Sequence, residues 1–127
     1  MRLCRFQGRQ GVEVGFYEGD RVVPLAAAAR AFESATGERV DLPRGDNLLD
    51  LLPPDGVGSS AARTLHDWVA RQKGSLPLDV RLATGGVELL VPVPRPNKLF
   101  LLAGNYADHI KEGGGVAAER AETFPYV

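Results

Sequence analysis

Prolines alternate through Pro92-Val93-Pro94-Arg95-Pro96. Each removes a backbone donor and fixes φ, so the stretch cannot lie inside a helix or a central strand and is biased toward polyproline II. A chain interrupted in this way folds as two pieces. The expected organisation is an amino-terminal unit over residues 1–92, a Pro-rich linker over 93–97 and a further segment over 98–127. That last segment is too short to offset, by its own burial, an ordering cost of roughly 1–2 kcal/mol per residue. Its run Leu99-Phe100-Leu101-Leu102 is nevertheless as apolar as a strand covered on both faces, so it needs a partner. Poor order, or pairing of this run with a second copy, is the expectation.

In the amino-terminal unit Val12, Val14 and Phe16 alternate with Glu13, Gly15 and Tyr17, which puts three apolar side chains on one face of a strand. Turns at Gly8-Arg9-Gln10-Gly11 and Glu18-Gly19-Asp20 divide the region into strands over 2–7, 12–18 and 21–24. Leu25, Ala28, Ala29, Phe32 and Ala35 then recur at helical spacing, with Pro24 at the start and Gly37 past the end. From 36 to 45 the chain is polar and reads as a loop, after which Asn47 is placed to cap one turn, Leu48 to Leu52, stopped by Pro53-Pro54. The Gly/Ser break at 56–60 offers serine caps to a second helix. Its buried side is Ala61, Leu65, Trp68, Val69 and Gln72, and Gly74 is its stop. Two last strands, 80–82 and 87–93, read as a hairpin closed by Thr84-Gly85-Gly86. The fold class this pattern predicts is α+β, with short antiparallel strands and two main helices.

Charge narrows the function. Fifteen Lys and Arg against sixteen Asp and Glu, spread without blocks, leave no basic footprint for nucleic acid or an anionic membrane. No apolar run approaches a membrane span, and the first ten residues carry three arginines instead of a signal-peptide core, so a cytoplasmic location is the expectation. The single Cys4 excludes an internal disulfide and, between Leu3 and Phe6, reads as a buried small hydrophobe. His66 has only the adjacent Asp67 for a partner and reads as a surface or half-buried histidine, while Trp68 reads as a core anchor.

Chemistry concentrates downstream of the prolines. The apolar run breaks at Gly104-Asn105, and the polar segment Tyr106-Ala107-Asp108-His109-Ile110-Lys111-Glu112 follows. His109 and Glu112 are three residues apart, so on a helix they share one face, near enough to share a water or a proton. A carboxylate beside an imidazole holds its tautomer and raises its basicity, as a general base requires. A surface ion pair is the other reading of the same spacing. Asp108 is placed to cap such a helix.

Lys98 to Glu112, with its core Asn105-Tyr106-Ala107-Asp108-His109-x-x-Glu112, resembles the segment that opens the catalytic domain of the fumarylacetoacetate hydrolase (FAH) family. The upstream unit and the Pro-rich approach come in the order of that family's longer bacterial members. One departure is that the family often has Gly-x-Asn-Tyr, whereas here Ala103 stands first and Gly104 directly precedes Asn105. The resemblance implies that His109 and Glu112 are a catalytic dyad on a short lid helix, activating water or shuttling a proton. It gives Asn105, Tyr106 and Asp108 the task of binding substrate or shaping the turn.

By the same resemblance, residues 98–127 would be the first strand and lid helix of an incomplete β-rich catalytic domain. The substrate would be a small 2-oxo or β-diketo acid, undergoing hydrolysis, isomerisation or decarboxylation. The complete enzyme would use Mg2+ or Mn2+ and form a homo-oligomer, expected to be a dimer. The family's Glu-x-Glu metal pair has no counterpart in this sequence. Glu18-Gly19-Asp20 reads as a turn and Glu119-Arg120-Ala121-Glu122 as a solvated helical face, whereas a hard cation takes about six oxygens. The expectation is therefore no metal ligands in this chain and no activity from it alone. The alternative is a non-catalytic cap or oligomerisation module.

Overall fold

Period-two patterning in the first residues produces three antiparallel strands, β1 (Leu3–Gly8), β2 (Gly11–Tyr17) and β3 (Arg21–Pro24), in the computed structural model of the chain. The structure describes residues 1–9, 11–72, 76–77, 80–103, 114 and 124–126. Two compact units divide the chain, Met1–Pro94 and Arg95–Val127.

The first unit is α+β. A five-stranded sheet runs β4-β3-β2-β1-β5, where β4 is Leu82–Ala83 and β5 is Glu88–Leu90. Here the expected hairpin over 80–93 is corrected: β4 pairs with β3 and β5 with β1, on opposite edges of the sheet. Only Thr84–Val87 connect them, and Thr84–Gly86 form a 3-10 turn. Laid flat, five strands would set the two edges roughly 19 Å apart, four spacings of about 4.8 Å. A link of this length with a 3-10 turn, rising only about 2 Å per residue, falls well short of that distance. The sheet must therefore curl until its edges approach.

Curling gives the sheet two apolar faces. Inside the curl, Cys4, Phe6 and Val22 are buried, with Tyr17, Leu82 and Val87 packed against them. Gly15 makes that interior possible, because a Cβ there would lie 2.7 Å from the Val23 carbonyl oxygen and 3.2 Å from the Phe6 ring. On the other face Phe16 and Val23 meet the helices.

Helix α1 (Leu25–Thr36) buries Leu25, Ala27, Ala28 and Phe32. Ala35, expected on this stripe, is exposed instead, since the helix has passed the edge of the core by its last turn. Gly37 closes α1 at φ 74°, in the left-handed region that a residue with a Cβ seldom adopts, and its amide bonds to the Glu33 carbonyl. Asn47 caps the 3-10 turn Leu48–Leu51 by accepting from the Leu49 amide.

Helix α2 (Ser59–Arg71) buries Ala62, Leu65, Trp68 and Val69, one position on from Ala61 at its start. No serine caps it: Gly58 is the N-cap and Ser59 is already helical, because Gly58 packs against Pro43 where a side chain would not fit. Trp68 is a core anchor, edge-on to Phe32 at 5.6 Å. Cys4 is likewise buried, as its apolar neighbours imply.

In the second unit β6 (Leu101–Ala103) pairs antiparallel with β7 (Phe124–Tyr126). Leu101 and Leu102 of the apolar run thus pair with a strand of their own chain, where poor order or pairing with a second copy had been expected.

Candidate functional site

His109, Glu112, Asn105, Tyr106 and Asp108 lie outside the described residues. Among the described residues no three His, Cys, Asp or Glu side chains gather as a metal centre would need. Glu18, one of the nearest acidic candidates, is engaged instead by Arg21 at 2.6 Å. His66 is half-buried: its ring stands edge-on to Phe16 at 5.4 Å, and its Nδ1 lies 3.4 Å from Asp67 Oδ1. The neighbouring carboxylate is thus the partner of the ring.

What the first unit offers is a recess of about 910 Å3. Gln7, Arg9 and Glu13 of the β1–β2 hairpin form one wall, Pro24, Ala27 and Arg30 a second, and Leu82, Gly86 and Val87 a third. The first turn of α1 opens toward it with no side-chain cap and no acidic residue. Arginine and glutamine supply donors and Glu13 an acceptor, over a floor of aliphatic side chains. Among the described residues that line it, the polar groups are those of Gln7, Arg9, Glu13 and Arg30, which suit binding of a small polar ligand.

The strongest electrostatic feature is Arg5, the one charged residue buried among those described. Its Nε donates to both the carbonyl and the Oδ2 of Asp46 at 3.1 Å, its Nη2 also meets Oδ2, and its Nη1 donates to the Val91 carbonyl at 2.7 Å. Three distant segments are tied at one guanidinium. Hydrogen bonding from Arg5 holds the Asp46 carboxyl below the usual carboxylate range. Burial pushes the Cys4 thiol up, and a backbone hydrogen bond at Gly15 opposes that only in part. The thiol is therefore a poor nucleophile. Sequence reasoning missed the Arg5 cluster, because an arginine alternating with apolar residues reads as the wet face of a strand.

Sheet and helices together define a small α+β domain. Residues 1–54 match the family model described as Rv2993c-like, N-terminal, and over β1 to the 3-10 turn the chain is similar to that N-terminal domain. No curated protein matches the chain.

Proposed function

We propose that this chain is the amino-terminal part of an FAH-like enzyme acting on a small 2-oxo or β-diketo acid, with His109 and Glu112 as its acid–base pair. The observation that carries the reading is a conjunction within one chain. A region similar to the Rv2993c-like N-terminal domain is followed, across a Pro-rich linker, by Asn105-Tyr106-Ala107-Asp108-His109-x-x-Glu112. In this reading the His109 imidazole takes a proton from water or from the substrate, and Glu112 fixes its tautomer and stabilises the imidazolium. Asn105, Tyr106 and Asp108 shape the approach to the dyad. In this reading the divalent cation is held by carboxylates in the rest of the enzyme, a cytoplasmic homodimer.

The test is His109→Ala in the complete enzyme. Turnover is expected to fall on the order of 10²–10⁴-fold, with Mg2+ affinity by calorimetry unchanged. Loss of both would mean the histidine is a ligand and not a base. Titration of residues 1–127 with Mg2+ or Mn2+ is expected to show no specific micromolar binding, and such binding would refute the placement of the metal site.

A second reading, an interaction module without chemistry, is favoured by one observation. Leu49, Leu52 and Val57 leave 48%, 37% and 86% of their surface exposed around the 3-10 turn. Val57→Asp that dissociates an oligomer while His109→Ala leaves turnover untouched would support it over the first.

A further inference from the structure

The link between the two edges of the curled sheet is fastened firmly at its ends and lightly between them. At its start the Thr84 amide donates to the Asp20 carbonyl and the Thr84 hydroxyl to the Gly19 carbonyl, each at 2.9 Å. At its far end Arg5 Nη1 holds the Val91 carbonyl at 2.7 Å, and Asp46 holds Arg5. Between these points lie Gly85 and Gly86, where a side chain would touch nothing within 4 Å. Next comes β5, whose three-residue ladder on β1 ends the sheet on that side among the described residues. So short an edge ladder sits at the low-stability end of a domain, whereas β1 and β2 share six paired positions.

What this link covers gives it meaning. Gly86 and Val87 form one wall of the recess, and Val87 also packs on the small cluster of Cys4, Phe6 and Val22 inside the curl. We propose that residues 86–91 are a flap that opens as a unit, hinged at Gly85-Gly86 and latched through Val91 by Arg5, giving access to the recess and to the interior beneath it. Thr84 stays with the body of the sheet. The latch is a charge-assisted bond to a carbonyl that water can replace once β5 lifts, so it can be remade without refolding the core.

Cys4 reports the motion, since it is the only cysteine in the chain and belongs to the buried cluster on which Val87 packs. In the full chain under native conditions, labelling of Cys4 by an aromatic disulfide reagent is expected to be slow and nearly independent of urea at low concentration, the mark of local opening. Asp46→Asn and Arg5→Met are each expected to raise the labelling rate about tenfold or more. Hydrogen exchange at Glu88–Leu90 should rise with it, while exchange in β2 does not. Asp46→Asn guards against a fold-wide effect, because Asp46 is partly exposed and its replacement leaves no buried charge. Wild-type labelling that tracks the urea dependence of global unfolding would overturn the flap. So would a rate unchanged in Asp46→Asn, or exchange that rises equally in β2 and β5.

Discussion

Gly15→Ala tests the curl directly. Elsewhere in a strand this substitution stabilises, by roughly 0.4–1 kcal/mol, because alanine has less freedom to lose on folding. At position 15 the new methyl would sit 2.7 Å from the Val23 carbonyl oxygen, 3.0 Å from Val22 Cγ1 and 3.2 Å from Phe6 Cε1. The first of these is backbone inside the β2–β3 ladder, where Gly15 faces Pro24 and Phe16 faces Val23, and it moves only by stretching that pairing. The ring cannot retreat either, since Phe6 is fully buried. Forcing a methylene into a packed site costs about 1–3 kcal/mol, so at the middle of both ranges overpacking outweighs the entropy gain and the net is a loss of roughly 1.3 kcal/mol. Urea unfolding followed by the single Trp68 is the assay, and with a slope near 1–3 kcal/mol per molar the midpoint should fall by about 0.5–1 M. Gly8→Ala is the control, because the atoms nearest its methyl belong to the Glu13 side chain, which can swing aside, and not to backbone. A Gly15→Ala midpoint equal to or above wild type would refute the reasoning, since the interior would then have room that the curl denies it.

Other expectations follow from the same packing. Leu65→Ala removes a fully buried side chain from between the sheet and helices and should cost about 2–5 kcal/mol by the same urea assay, an unchanged midpoint contradicting its place in the core. Asp46 has a lowered folded pKa, so its contribution is fully present above its unfolded value of about 4 and is lost as pH falls through the folded value. The stability difference between wild type and Asp46→Asn should therefore be flat from neutral pH to about 5 and vanish in acid. A difference that grows on acidification would mean that Arg5 does not hold that carboxylate.

Local signals in the sequence were enough for the local elements. The alternation from Val12 to Phe16, Gly37 past α1 and Asn47 before the 3-10 turn each act within a few residues, and the structure has strands, stop and cap where those rules put them. The small register errors at Ala35 and Ala61 come from curvature, because helical spacing says which side chains share a face but not where the opposing sheet ends. The destination of β4 and β5 was of another kind. Thr84-Gly85-Gly86 satisfies the hairpin rule, yet neither glycine takes a positive φ, and the strands part to opposite edges. That choice is made by closure of the whole sheet, which no window of a few residues contains. For the candidate site, the His109-Glu112 spacing was legible, while the recess was not, since its walls come from 7–13, 24–30 and 82–87.

Arg5 shows why the hidden part matters. A buried guanidinium seldom adds net stability, because desolvation consumes most of what its bonds return. Its partners here are not buried with it: the Asp46 side chain keeps 41% of its surface and Val91 keeps 65%. Losing Arg5 therefore leaves a carboxylate and a carbonyl that water can satisfy, and the damage stays at the edge of the sheet instead of spreading through the core. What the residue supplies is a position for Val91, the last residue before the prolines begin. Through that carbonyl one side chain of β1 fixes where the edge strand β5 ends. The requirement is geometric, which is why an arginine, with its fork of fixed donors, meets it where a lysine or a larger apolar side chain would not.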